Sequence, residues 1–340
     1  MKRLYASDAN RVFLASVAGS QLLIYLMAGF GVQDDMLLQF FIEAFLALPG
    51  ITYLLMRKLS VKDGLGVCSV GWKDWLLMIP LAVCVDKIAE FINVVSQLFV
   101  TNSVGSHMAE LVLKYPFPVT FFVVAVMPAL CEELIYRGVL FRNYRKCGVW
   151  VSILLTAFLF GMMHMNLNQF SYAFVLGVLF ALLHEITGSI LPAVFLHLYI
   201  NGKSMVVLYA SVHYLTGLRE QYADAQTIGD TGAMAGLLDS AQGVPIDKEN
   251  WLQEYMAMGD STVTEAIQML FSSFLAALVV TIVIFVLLVW HHGGGEKVKC
   301  MFVREKRTEG NDSQNRWRIL CSPELLLGLL FCAGFMLLRL

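Results

Sequence analysis

The sequence predicts an all-α membrane protein, a bundle of about eight to nine crossing helices, and three observations predict it. Of its 340 residues 58% are hydrophobic and 15% charged, with a mean hydropathy of +0.68, where soluble domains carry roughly 25% charged residues. The apolar residues gather into runs of about sixteen to thirty, the length that lets a helix cross ~30 Å of hydrocarbon. Lysine and arginine crowd into alternate connections between those runs, as in chains that cross a membrane repeatedly. A net charge of −2 and a pI near 6.4 offer no basic surface for nucleic acid.

The first run, Val12 to Val32, follows Lys2, Arg3 and Arg11 and is too long for a cleaved signal segment. Asp34 and Asp35 make an acidic turn before the second, Met36 to Met56. The third, Trp75 to Val100, carries Asp86, Glu90, Asn93 and Gln97 at helical spacing, with Lys87 beside them. Such a stripe either lines water or is buried against other helices. A linker, Thr101 to Pro116, leads to the fourth run, Phe117 to Lys146, and then come Val149 to His164, Phe170 to Leu183 and Ile190 to Val212. Tyr214 to Ser261 is polar, mainly acidic and without sustained periodicity, which reads as a loop with short helices or a partly disordered one. The most apolar run, Val263 to Trp290, precedes a basic stretch through Arg318, and Leu325 to Leu340 ends the chain as a marginal span.

The expected organisation is therefore residues 1–115 as N-terminal membrane helices, 116–212 as the chemically distinctive core, 213–262 as an acidic loop and 263–340 as C-terminal membrane helices. With the N-terminus in the cytoplasm, seventeen Lys and Arg fall in inner connections and four in outer ones: Lys114, Lys203, Arg219 and Lys248. The acidic loop then faces outward, where it is expected to dock an extracytoplasmic partner. No eukaryotic targeting signal is visible, so a bacterial plasma membrane is the expected location. Seven scattered cysteines without a C-x-x-C pair argue against disulfides and thiolate metal sites.

Charge inside the fourth run needs an explanation, since an ionisable side chain at membrane depth costs roughly 2.5–3.5 kcal/mol on insertion scales. Glu133 and Arg137 are four apart and can pair along one helix face. Glu132 lies about 100° away and is left to face a cavity. Pro128, one turn earlier, frees the carbonyl near Val124 and tends to bend the helix.

Two later runs add imidazoles. Phe160 and His164 share one helix face, and His197 and Asn201 share another. Glu132 and His164 are equidistant from Gly148, so an antiparallel hairpin sets them at equal depth. His197, near the start of its run, matches that depth poorly unless its helix starts deeper or tilts. A carboxylate and an imidazole holding one water are the parts of an acid–base hydrolase. A second histidine and an asparagine amide can donate to the oxyanion on a scissile carbonyl.

Glu132-Glu133-x-x-x-Arg137, Phe160-x-x-x-His164 and His197-x-x-x-Asn201, in that order, resemble the three-motif signature of the CPBP family, the CAAX prenyl and bacteriocin-processing intramembrane proteases. The resemblance covers roughly residues 116 to 210. It implies an intramembrane endopeptidase in which Glu132 and His164 activate water, His197 and Asn201 stabilise the oxyanion, and Glu133, Arg137 and Phe160 support the site. The implied partners are membrane lipid and a peptide or lipidated-peptide substrate. The glutamate route requires no cofactor; zinc held by His164, His197 and Glu132 is its metal-dependent form, though no H-E-x-x-H motif is present. Rival expectations are a non-proteolytic scaffold or bacteriocin-immunity protein of the same fold, and a transporter moving protons through Asp86, Glu90 and Glu132.

Overall fold

The computed structural model describes residues 6–100, 104–241, 244, 246–247, 263–296 and 319–338. Among them there are helices and turns and no strand. The helices are α1 (Ala6–Gly29), α2 (Asp35–Arg57), α3 (Val61–Leu65), α4 (Trp72–Ser96), α5 (Val104–Lys114), a composite rod α6 (Phe117–Cys147), α7 (Val149–Met163), α8 (Leu167–Thr187), α9 (Leu191–Ile228), α10 (Thr231–Ser240), α11 (Val263–His291) and α12 (Pro323–Leu338). Six of them, α1, α2, α6, α8, α9 and α11, are long and apolar enough to cross a membrane; α7 and α12 are apolar but shorter.

The connections gather at two ends. At one, Arg57 pairs with Asp8, Tyr144 bonds to Asn10, and Arg145 clamps Glu185 with two hydrogen bonds of 2.8 and 2.9 Å. There too the Ser189 hydroxyl donates to the Cys68 carbonyl and the Ile190 amide to the Gly66 carbonyl. At the other end Lys114 approaches Asp35, and Asn168 reaches the last turn of α4. His184 and Glu185 form part of the last turn of α8.

Burying apolar surface between helices gains little when the surroundings are already lipid, so close packing and interhelical hydrogen bonds must hold the bundle. Met78, Leu81, Ala82 and Val85 of α4 are fully buried and pack in one cluster with Phe180, Leu183 and Leu196. Where α7 crosses α8, Gly177 sets the separation. A Cβ there would lie 2.8 Å from the Ala157 Cα, so only glycine allows the two backbones to approach this closely.

Four expectations from the sequence change. The third run forms α4, but Lys73, Asp74, Asp86, Lys87 and Glu90 keep it from the set of apolar crossing helices. The charges of its stripe are paired: Asp86 accepts from Lys203 at 2.9 Å, and Lys87 donates to Glu90 at 2.6 Å, while Asn93 Oδ1 is buried without a partner. The linker after it contains the amphipathic α5, which packs Ala109 and Val112 against Met205 and Val212. The helix expected to stop at Val212 continues to Ile228, because Leu215, Leu218 and Ala225 carry a buried face onward. Leu215 and Leu218 pack there against Ala241, Val244 and Ile246. The rest of the acidic stretch, through residue 262, and the basic stretch before Ile319 lie largely outside the described residues.

Candidate active site

The site is built on α6, whose winding is irregular. Phe122–Val126 and Leu134–Phe141 are π-helical, on either side of an α-helical stretch, Met127–Glu133. Such wide turns recur at functional sites because they redirect side chains without ending the helix. Pro128 opens the α-helical stretch, and the carbonyl it leaves free, that of Val124, lies 3.5 Å from the Asn201 amide nitrogen of α9. The proline on one helix thus makes the acceptor for an asparagine on another.

Glu133 is the hub of the cluster. Its Oε1 accepts from Arg137 Nη1 at 2.9 Å, the predicted i, i+4 pair, and from His197 Nδ1, also at 2.9 Å. Glu133 and Arg137 are fully buried. Arg137 Nη2 also donates to the Gly177 carbonyl at 3.2 Å, and the guanidinium lies 4.5 Å from the Phe160 ring centroid and 5.1 Å from that of Phe180. Cation–π contacts of this kind help hold a charge that no water solvates. All three sequence motifs therefore meet: Glu133 and Arg137 from the first, Phe160 from the second and His197 from the third.

Glu132 points elsewhere, as its offset from Glu133 requires. It is buried, and its Oε2 has no hydrogen-bond partner, the nearest imidazole nitrogen being His197 Nε2 at 3.8 Å. That distance counts as an ion-pair approach but exceeds a hydrogen bond, so the carboxylate oxygen is unsatisfied. The histidine of poorly matched depth is thus the one at its side. The reason is where α9 begins. Ile190 is tied to Gly66, beside which the tip of the Arg142 side chain lies, so the start of α9 is anchored at the Gly66 turn. The π-helical residues 134–141 then use up more chain per unit length than an α-helix would, and Glu133 falls level with His197.

His164 follows the last residue of α7, half-buried. Its Nδ1–H donates to the Phe160 carbonyl at 2.8 Å, and its ring stands edge-on to Phe160, centroids 5.2 Å apart. Met165, buried and in the left-handed region at φ 49°, reverses the chain immediately after it. The His164 and His197 rings both stand edge-on to Phe160, at centroid distances of 5.2 and 5.9 Å. With Nδ1–H engaged by a carbonyl, Nε2 of the neutral ring is an acceptor.

Glu43 of α2 belongs to the same neighbourhood. It is buried, accepts from Gln39 at 3.1 Å, leaves Oε2 unsatisfied and stands within charge range of Glu132. The signal that finds it is the one that found Glu132, an acid inside an apolar run, Phe40 to Leu48.

A metal fits this centre poorly. Among the described residues, donor atoms of Glu132, His164 and His197 do not all come within 4.8 Å of one another. The Nδ1 atoms of both histidines are occupied by Phe160 and Glu133. What the arrangement offers is a desolvated carboxylate facing an imidazole whose orientation a second carboxylate fixes, the recurring layout of acid–base hydrolysis.

No curated relative and no solved structure matches the chain. A family comparison does, over the part that holds every one of the three motifs. Residues 114–202, from the last residue of α5 to just past Asn201, match the family described as Rce1-like, type II CAAX prenyl endopeptidase Rce1-like, a match to one part of a larger helical membrane protein.

Proposed function

We propose that this protein is an intramembrane endopeptidase that hydrolyses a peptide bond with Glu132 as general base. The observation that carries the reading is the convergence of the three motifs through Glu133, which binds Arg137 and His197 at 2.9 Å while Glu132 keeps an unsatisfied oxygen beside them. Water held between Glu132 and the acceptor Nε2 of His164 loses a proton to the carboxylate and attacks the scissile carbonyl. The oxyanion then accepts from His197 Nε2–H and from the Asn201 amide. For His197 to donate there its ring must be cationic, and the Glu133 carboxylate on Nδ1–H stabilises that form. Glu132 finally passes its proton to the leaving amine, closing the cycle.

A mainly apolar, open cavity of about 460 Å³, lined in part by Phe121, Phe195, Leu198, Lys203 and Val206, lies on the stretch of α9 that carries Asn201. It suits an apolar or lipidated stretch of substrate, in keeping with a CAAX-type peptide. The lysine and arginine distribution supports a cytoplasmic N-terminus, and a bacterial plasma membrane remains the proposed setting.

The test is cleavage of prenylated and unmodified peptide libraries by the purified protein in lipid nanodiscs. Wild type is expected to cut, and Glu132→Gln to lose about 10²–10⁴-fold in turnover at unchanged helicity and melting temperature. Equal turnover in the variant rules out Glu132 as the base. No cleavage by either favours a scaffold of the same fold.

A further inference from the structure

A second cluster of chemically capable side chains, sharing no residue with the proposed site, lies at the end of the bundle where α4 begins and α11 ends. Asp74, in the first turn of α4, is buried, and its Oδ1 is approached by His291 Nδ1 at 2.9 Å and His292 Nε2 at 3.1 Å. Its other oxygen, Oδ2, accepts from the Gly71 amide at 3.2 Å, which fixes the carboxylate at the helix start. The two rings stand nearly perpendicular, centroids 5.2 Å apart, so they approach Asp74 from different directions.

The His291 contact has hydrogen-bond geometry; the His292 contact does not. His292 Nε2 is buried and, despite lying 3.1 Å from a carboxylate oxygen, has no hydrogen-bond partner. A nitrogen whose lone-pair axis misses the nearest acceptor is badly placed for an Asp–His pair. It is better placed to share a third atom with that acceptor. Ligands about 2.0–2.2 Å from a tetrahedral ion stand roughly 3.3–3.6 Å apart, so small adjustments bring these three donors onto one centre. Among the described residues, this is the one set of three histidine, cysteine or acidic side chains whose donor atoms all lie within 4.8 Å.

We infer that Asp74, His291 and His292 bind a divalent zinc-type ion. Two imidazoles and one carboxylate favour late first-row ions over magnesium or calcium, which prefer oxygen donors alone. The ion would fasten the start of α4 to the end of α11, a pair already packed along its length through Phe91 and Phe274, stacked 4.3 Å apart. The site is structural, and it is distinct from the catalytic centre, so zinc found in this protein would not by itself make it a metalloprotease.

The experiment uses tag-free, full-length protein in nanodiscs, stripped with a chelator and titrated with Zn²⁺ against a chromophoric competitor. Wild type is expected to take up one equivalent and to melt at a higher temperature when loaded. His291→Gln and His292→Gln are each expected to weaken binding at least about tenfold and to lose the thermal shift. Glu132→Gln is expected to bind like wild type, and X-ray absorption of the zinc-loaded His164→Ala/His197→Ala double variant to show two imidazoles. Zinc uptake unchanged in the His291→Gln/His292→Gln double variant overturns the assignment, as does loss of zinc in Glu132→Gln. Absence of uptake by wild type leaves a plain Asp–His helix cap and also overturns it. Comparing helicity of apo wild type and apo variants separates lost binding from lost folding.

Discussion

The face of α4 and the central cluster both hold charged side chains within the bundle, and they treat those charges differently. On α4, Asp86 is paired with Lys203 and Glu90 with Lys87, and none of these four leaves a buried polar atom without a partner. At the centre, Glu133, Arg137 and His197 are bound to one another yet Glu132 Oε2, Glu133 Oε2 and Arg137 Nε are buried and unsatisfied. Nearly all buried polar atoms in folded proteins find partners, so a concentration of left-over ones needs a cause beyond packing. Pairing accounts for the charges of the α4 face, where Asn93 Oδ1 alone is left over; the centre leaves three such atoms, which suits the proposed binding of water and peptide. This contrast weighs against a proton path along α4, where the acids are already committed to lysines.

Beyond the loss of turnover in Glu132→Gln, the sharpest way to break the contrast is to remove one member of the central network. Arg137→Met strands the Glu133 carboxylate in a dry interior, and destabilisation of about 3–5 kcal/mol is expected in detergent-unfolding titrations. Adding Glu133→Gln to it should recover part of that loss, because the stranded Glu133 charge is then removed. A double variant less stable than Arg137→Met alone would contradict this.

Gly177→Ala tests the support under Arg137. The added methyl meets the backbone of Ala157, and overpacking of this kind costs about 1–3 kcal/mol. Since the Gly177 carbonyl accepts from Arg137, peptide turnover should fall along with stability. Stability falling while turnover holds would detach that carbonyl from the site.

The smallest effect is expected at the α4 face. Lys87 and Glu90 side chains are each more than a third exposed, so Glu90→Gln should cost less than about 1 kcal/mol and leave peptide turnover unchanged. Turnover that fell with Glu90→Gln, or proton-coupled uptake by vesicles that the variant abolished, would erase the distinction between the two regions.

Much of the centre was legible in the sequence because its logic is local. The Glu133–Arg137 pair follows from a four-residue spacing, and the free Val124 carbonyl from one proline. The depth of His197 was not legible: counting residues from a loop assumes every turn rises equally, and neither the π-helical turns of α6 nor the anchoring of Ile190 on Gly66 has a signature in composition. The reach of α9 to Ile228 was hidden by a different cause. Its apolar face thins to a few residues among polar ones and the charged Arg219, Glu220 and Asp224, and a hydropathy reading stops where a helix need not. The meeting of Asp74 with His291 spans 217 positions and depends wholly on how α4 and α11 pack.

The wide turns of α6 carry a consequence for how this protein tolerates change in length. A segment wound with five-residue spacing holds a surplus amino acid compared with a regular helix, so deleting one residue between Leu134 and Phe141 would make the rod more ideal. Taken from Leu134 to Tyr136, that deletion would also cut the Glu133-to-Arg137 spacing from four residues to three. The tidier backbone would lose the register its buried ion pair uses; the irregularity is the dial on which that bearing is set.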